Sequence, residues 1–146
     1  MWITTSWDDG HRLDLRLADL LDRYHLKGTF YLFREGMENR LSDAEIRGLS
    51  TRHEIGAHTL THPDLTQIDL PSARAEIAGS RAWLRDLTGD PITAFAYPYG
   101  TYNQLIIESV AELGFTCART VNDYTIHPPK SPYIMPTTVQ VTAFPF

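Results

Sequence analysis

The sequence predicts an α/β protein: a parallel sheet with helices packed against it, rolled into an incomplete barrel of about five or six strands. Two observations carry this expectation. Runs of β-branched and aromatic residues alternate with amphipathic helical segments as far as Thr120. At roughly thirty residues per strand-helix unit, a chain of 146 residues supports about five units, whereas a closed eightfold barrel takes about 250.

Residues 2–7, Trp-Ile-Thr-Thr-Ser-Trp, read as a first strand that stops at the turn Asp8-Asp9-Gly10. A helix opens at Asp14, with Leu13, Leu17, Leu20, Leu21 and Tyr24 forming an apolar stripe at three- and four-residue steps until Gly28. Residues 29–33 form the second strand. Ser42 with Glu45 is a capping-box pair for a helix through Ile46 and Leu49, and residues 53–58 form a short third strand. Pro71 opens a helix carried by Ala73, Ile77, Leu84 and Leu87 to Gly89, and residues 93–97 form the fourth strand. Asn103 starts a helix through Leu105, Ile106, Val110 and Leu113, closed by Gly114, and residues 115–120 form the fifth. Beyond it Pro128, Pro129, Pro132 and Pro136 interrupt any long element, and residues 137–141 are a candidate final strand.

A hydrophobic fraction of 42% with 21% charged residues belongs to an ordinary globular protein. The length predicts a single domain over residues 1–146, shortened at its C-terminal end. Thirteen Lys and Arg against eighteen Asp and Glu leave a net charge of -5, the wrong sign for neutralising phosphates, which excludes nucleic acid as a partner. Cys117 has no second cysteine to pair with, and its apolar surroundings make it a small buried hydrophobe. No run approaches the ~18 apolar residues of a membrane span, and no basic-then-apolar leader follows Met1, so a cytoplasmic location is expected.

In parallel α/β folds the active site lies at the carboxyl ends of the strands. Asp8-Asp9-Gly10 follows the first strand, His58 to His62 follows the third, and Tyr97-Pro98-Tyr99-Gly100 follows the fourth. Two imidazoles four residues apart, at His58 and His62, share one face of a helical turn and can hold one metal ion; Pro63 ends that turn. Asp9 adds a carboxylate, and two imidazoles with one carboxylate leave open positions, as catalytic rather than structural sites do. Zn2+ is the first choice of cofactor; Co2+, Ni2+, Mn2+ and Fe2+ suit the same ligands. Neighbouring side chains at a strand end diverge, so with Asp9 on the metal Asp8 is free to act as general base toward a water. In Tyr97-Pro98-Tyr99-Gly100 the Pro fixes φ and the Gly permits positive φ, giving a rigid loop whose amide can meet an oxyanion. Its aromatic rings suit a sugar face, which makes Tyr97, Pro98 and Gly100 candidate substrate-binding residues. Each stretch also has a plainer reading, as a turn, an exposed histidine face or a loop; their convergence on one mouth favours the chemical one.

Together the three stretches resemble the NodB-homology polysaccharide deacetylases, carbohydrate esterase family 4. Ser6-Trp7-Asp8-Asp9-Gly10 is similar to the family's Thr-Phe-Asp-Asp-Gly, and His58-Thr59-Leu60-Thr61-His62 matches His-Ser/Thr-x-x-His. Ala96-Tyr97-Pro98-Tyr99-Gly100 resembles Arg-Pro-Pro-Tyr-Gly. The resemblance implies a distorted (β/α) barrel and a metal-dependent hydrolase that removes acetyl groups from N-acetylated sugars or glycans. It also implies Asp8 as general base, Asp9, His58 and His62 as metal ligands, and the Tyr99 amide as oxyanion donor.

Two positions depart from the family pattern. Ala96 stands where the family has an arginine that orients the base, so another group must position Asp8 if it acts. No histidine follows Pro136 to supply the family's general acid; His127, in Ile-His-Pro, only loosely resembles that motif, and a surface loop is its plainer reading. The departures keep a second function in view, a catalytically impaired carbohydrate-binding homologue, beside a deacetylase or amidase of another small substrate. A non-heme Fe(II) oxygenase could use the same ligands, but the α/β rhythm and the paired aspartates weigh against it. The open edges of an incomplete barrel lead us to expect a homo-oligomer that covers them.

Overall fold

The computed structural model describes residues 4–123, 126–127 and 129–140. Five strands, β1 (Thr5–Asp9), β2 (Gly28–Leu32), β3 (Glu54–Ala57), β4 (Ala94–Ala96) and β5 (Cys117–Arg119), pair in parallel in the order β1-β2-β3-β4-β5. Helices α1 (Asp14–Arg23), α2 (Asp43–Ser50), α3 (Leu70–Thr88) and α4 (Gln104–Glu112) lie between them. A doubly wound sheet reverses its strand order at a switch point; this order never reverses, which is the arrangement of a barrel wall. The sheet is a curled half-barrel. In a flat sheet β1 and β5 would stand about 19 Å apart, four spacings of ~4.8 Å, yet Arg119 of β5 hydrogen-bonds Asp8 of β1.

The helix-facing side of the sheet holds the core, where Phe30, Leu32, Ile55, Ala57 and Phe95 meet Leu21, Ile46, Leu49, Ile77, Leu84 and Val110. The strand registers place Asp8, Tyr31, Gly56, Ala94, Ala96 and Arg119 on the opposite, concave side. There Tyr31, Ala94 and Ala96 form a second, smaller cluster.

The helix ends follow the sequence signals closely. Ser42 and Glu45 form a reciprocal capping box, Asp69 accepts from the Ser72 amide with Pro71 in the first turn, and Gly89 closes α3 at φ 80°. Asn103 caps α4 by accepting from the Ile106 amide at 3.0 Å. Where the expected third strand has His53, the imidazole is buried against Phe30 and its Nδ1 accepts from the Gly28 amide at 3.3 Å.

Three expectations are corrected. The first strand runs to Asp9 and so contains the two aspartates; Trp2 and Ile3 lie outside the described residues. Helix α1 stops at Arg23 rather than near Gly28, and its buried face is Asp14, Ala18 and Leu21, while Leu13, Leu20 and Tyr24 are exposed. The chain leaves the helix through His25 at φ 55°, and α1 flanks the edge strand β1, so no further layer covers its outer side. Residues 137–140 carry no strand, and Val141 lies outside the described residues. Met135 instead pairs with β5, exchanging hydrogen bonds with Ala118 and Thr120 at 2.9 Å just before Pro136 ends the pairing. No helix among the described residues is long and apolar enough to cross a membrane.

Candidate active site

The carboxyl end of β1 and the loop that follows β3 bring Asp9, His58 and His62 together. The imidazole Nε2 atoms of His58 and His62 stand 3.1 Å apart, and the Asp9 carboxylate lies 3.7 Å from the first and 3.5 Å from the second. Ligand atoms about 2.0–2.2 Å from one zinc ion at tetrahedral angles would lie roughly 3.3–3.5 Å from each other, so the three donors fit a divalent cation. Their protonation fits as well. The His58 ring is buried and its Nδ1–H donates to the Ala96 carbonyl at 2.8 Å, which leaves the Nε2 lone pair facing the other two donors. Burial pushes the His58 pKa down, with Asp8 acting in the opposite direction, and keeps the ring in the neutral form that a metal requires.

The segment from His58 to His62 is not the helical turn the four-residue spacing predicts. It is a tight loop in which Thr59 (φ 71°) and His62 (φ 58°) are left-handed, and the two rings converge through that reversal. The loop is tied down from several sides. The Glu76 carboxylate on α3 accepts from the Leu60 amide at 2.8 Å, the Thr61 amide at 2.9 Å and the Thr61 hydroxyl at 2.8 Å. The Leu60 carbonyl accepts from the Arg34 and Glu35 amides, and the Thr59 hydroxyl oxygen accepts from the His62 amide at 3.0 Å. The His62 ring sits between Phe33 and Tyr99, with centroids 5.0 and 4.7 Å away. Asp64 then joins this loop to the neighbouring turn, accepting from Thr66 and from the Thr101 hydroxyl. Those hydrogen bonds, Thr66 first, hold its carboxyl below the ordinary carboxylate range.

Asp8 lies beside the three donors, and both of its carboxylate oxygens accept from Nη2 of Arg119. Asp14, at the start of α1, is buried, and its Oδ2 has no hydrogen-bond partner among the described residues. Burial, then the charges of Asp9 and Asp8, push its pKa up to about 7.

The third stretch forms a single 3₁₀ turn, Pro98–Gly100, with Tyr99 at φ 58°, 63% exposed as a residue, its ring beside His62. Gly100 has φ 71°, and a Cβ there would fall 2.2 Å from a Val121 methyl. Tyr97 is placed differently from the expectation that it binds substrate. Its side chain is buried between Phe95 and Tyr102, and its hydroxyl donates to the Tyr133 carbonyl at 3.0 Å, so it anchors the loop from below. Pro98 is buried too, which leaves Tyr99 and Gly100 as the parts of the motif within reach of the mouth. His127 is exposed.

Sequence reasoning missed Arg119 and Glu76. For Arg119 a signal existed: a guanidinium inside the otherwise apolar strand Phe115 to Thr120 must meet an anion if it is buried. Glu76 offered none, because a glutamate on a helix is ordinarily a solvated residue.

The family model described as polysaccharide deacetylase matches residues 2–118 of this chain. The chain belongs to the polysaccharide deacetylase family. It is 29% identical over 100 residues to a peptidoglycan-N-acetylglucosamine deacetylase of Bacillus cereus, a match covering 67% of this chain and 36% of that protein. With chitin deacetylase 1 of Cryptococcus neoformans it shares 28% identity over 112 residues, 76% of this chain and 24% of the other. The chain spans between 20% and 38% of the length of such curated relatives. Among solved structures, a polysaccharide deacetylase from Bacillus cereus superposes with a TM-score of 0.78 at 24% identity, covering 90% of this chain and 45% of that one. A family 4 carbohydrate esterase from Streptomyces lividans gives 0.73 at 21% identity, covering 84% and 64%. These structures share the family's curled half-barrel.

Proposed function

We propose that this chain removes acetyl groups from N-acetylated sugars of a glycan, by hydrolysis of the acetamide C–N bond with the help of a divalent cation held by Asp9, His58 and His62. The observation that carries the reading is the convergence of those three donors, at 3.1 to 3.7 Å, beside the Asp8 carboxylate that Arg119 holds. A bound cation of this kind polarises the acetyl carbonyl and lowers the pKa of water from about 15.7 toward 7. Asp8 accepts the proton of the water that attacks the carbonyl carbon. The Tyr99 amide, on a turn fixed by Pro98 and Gly100, donates to the oxygen that becomes negative in the tetrahedral intermediate, a contact typically worth about 10²–10³ in rate. The exposed Tyr99 ring offers a face on which a sugar can stack.

The test is acetate release from chitooligosaccharides and from acetylated peptidoglycan fragments, with the protein loaded with Zn2+ and after chelation, beside metal analysis of Asp9→Ala. Zinc-dependent acetate release from the unsubstituted protein and loss of bound metal in the variant are expected. Unchanged metal content in Asp9→Ala would falsify the assigned site.

A second reading, a family member that binds glycan without turnover, is favoured by Ala96, which stands where the family pattern has the arginine that orients the base. It predicts saturable oligosaccharide binding with no acetate released at any metal loading.

A further inference from the structure

We propose that Arg119 orients the general base in this chain, doing from β5 what the family's arginine does from the position that Ala96 occupies here. This rests on the deacetylase reading above. Ala96 and Arg119 are register partners on adjacent strands, so their side chains emerge next to each other on the concave face. An arginine has therefore moved by one strand, and the residue at its former position has shrunk to a methyl group. The guanidinium needs that space, since it must cross the concave face to reach Asp8 on the opposite edge strand.

The path is built for it. Gly56, Ala94 and Ala96 keep the middle of the concave face low, and Tyr31 lies flat in the room that Gly56 leaves; a Cβ on Gly56 would fall 2.4 Å from the Tyr31 ring. The Arg119 guanidinium rests 5.2 Å from the centre of that ring. Its Nη1 donates to the Thr120 carbonyl at 3.0 Å, which leaves Nη2 aimed at both oxygens of Asp8. The backbone of β5 is clamped on either side of Arg119 by the hydrogen bonds of Ala118 and Thr120 with Pro132 and Met135. A carboxylate has about four lone-pair sites, so Asp8 so gripped keeps a free one for the proton of the attacking water. Arg119 is thus a positioning residue: it fixes the plane of the Asp8 carboxylate and acts through that group.

The experiment compares Arg119→Met, Arg119→Lys and the exchange Arg119→Met with Ala96→Arg, each for zinc content, thermal unfolding, kcat and KM of acetate release. Arg119→Met is expected to lower kcat by about 10–100-fold with KM within about twofold and zinc content unchanged. Arg119→Lys should fall between it and the unsubstituted protein, and adding Ala96→Arg should recover part of the lost kcat. A folded Arg119→Met with kcat within twofold of the original overturns the proposal, and so does a folded exchange variant no faster than Arg119→Met alone. A thermal-unfolding cycle with Asp8→Asn reads the pairing without turnover. The Asp8→Asn and Arg119→Met losses should be strongly non-additive, and simple additivity overturns the contact. If the unsubstituted protein releases no acetate, the deacetylase reading fails and this cycle alone decides whether Arg119 holds Asp8.

Discussion

Replacing Glu76 with alanine removes three hydrogen bonds at once, from the Leu60 amide, the Thr61 amide and the Thr61 hydroxyl, all between 2.8 and 2.9 Å. Hydrogen bonds to a charged group contribute about 1.5–3 kcal/mol each. Thr61 faces solvent, so water replaces part of what is lost, and the net destabilisation comes to about 2–3 kcal/mol rather than the simple sum. The larger effect falls on the site. Glu76 lies on α3 and grips the two residues midway between His58 and His62, so it sets the distance between the two imidazoles. Loosening such a support typically costs about 10–100-fold in metal affinity. Urea unfolding in the presence of a chelator measures the first quantity, and calorimetric titration with Zn2+ measures the second. Glu76→Gln, which keeps one oxygen acceptor, should lose about half as much stability. An alanine variant with unfolding free energy within about 0.5 kcal/mol of the original and zinc affinity within twofold would refute the reasoning. It would show that the Leu60 carbonyl and the Thr59 hydroxyl hold the loop unaided.

Asp14 supplies a pH-dependent prediction. Its folded pKa is pushed up to about 7, so between roughly 4 and 7 the folded protein holds a proton that the unfolded chain releases, and stability falls as pH rises through that window. Asp14→Asn removes this loss. At about 1.4 kcal/mol per pKa unit over the rise from 3.8 to about 7, less the ~0.3–1 kcal/mol of a carboxylate at a helix N-terminus, the chelated variant should gain about 3–4 kcal/mol at pH 8 and nothing at pH 4. Equal effects at both pH values in urea unfolding would sink it. Gly100→Ala forces a left-handed alanine, about 1–2 kcal/mol, onto a Val121 methyl 2.2 Å away. A loss above ~2 kcal/mol is expected, partly relieved by Val121→Ala; no relief would mean the backbone conformation alone carries the cost. Tyr97→Phe removes the hydroxyl that donates to Tyr133 and should cost about 1 kcal/mol. Its ring is buried, so KM for a glycan should not change; a raised KM would return Tyr97 to the substrate.

Strand and helix order was legible because each signal was local. Capping pairs such as Ser42 with Glu45, and the Asn103 and Gly89 ends, act within one turn and appear in the structure as the sequence implies. The extent of α1 was not legible, because the apolar spacing of Leu13, Leu20 and Tyr24 says nothing about which layer is present to cover them. That information lies in the strand order, where β1 is an edge. The convergence of Asp9, His58 and His62 was readable from spacing and from their places at strand ends, whereas the means of bringing them together was misread. His58 and His62 converge through left-handed residues that are not glycines, and no single-residue preference announces such a loop. Arg119 was hidden for another reason: its partner is 111 residues away, and the contact exists only because the sheet curls.

Of the five non-glycine residues with positive φ among the described residues, four (Asp9, Thr59, His62 and Tyr99) stand at one mouth. Each costs about 1–2 kcal/mol relative to an ordinary conformation, and such strain persists only where the surroundings over-determine it. The surroundings do so here: the Gly10 carbonyl is held by the Leu41 amide just after Asp9, Thr59 and Glu76 hold the histidine loop, and Gly100 bonds back to Tyr97 beneath Tyr99. A sheet that needed only to fold would have no use for four such residues side by side. Their common effect is to turn donor atoms inward from backbone that would otherwise direct them along separate strands. Strain of this kind stabilises nothing in the resting protein. It places charge and lone pairs before a ligand arrives, which removes the cost of arranging them at the moment of binding.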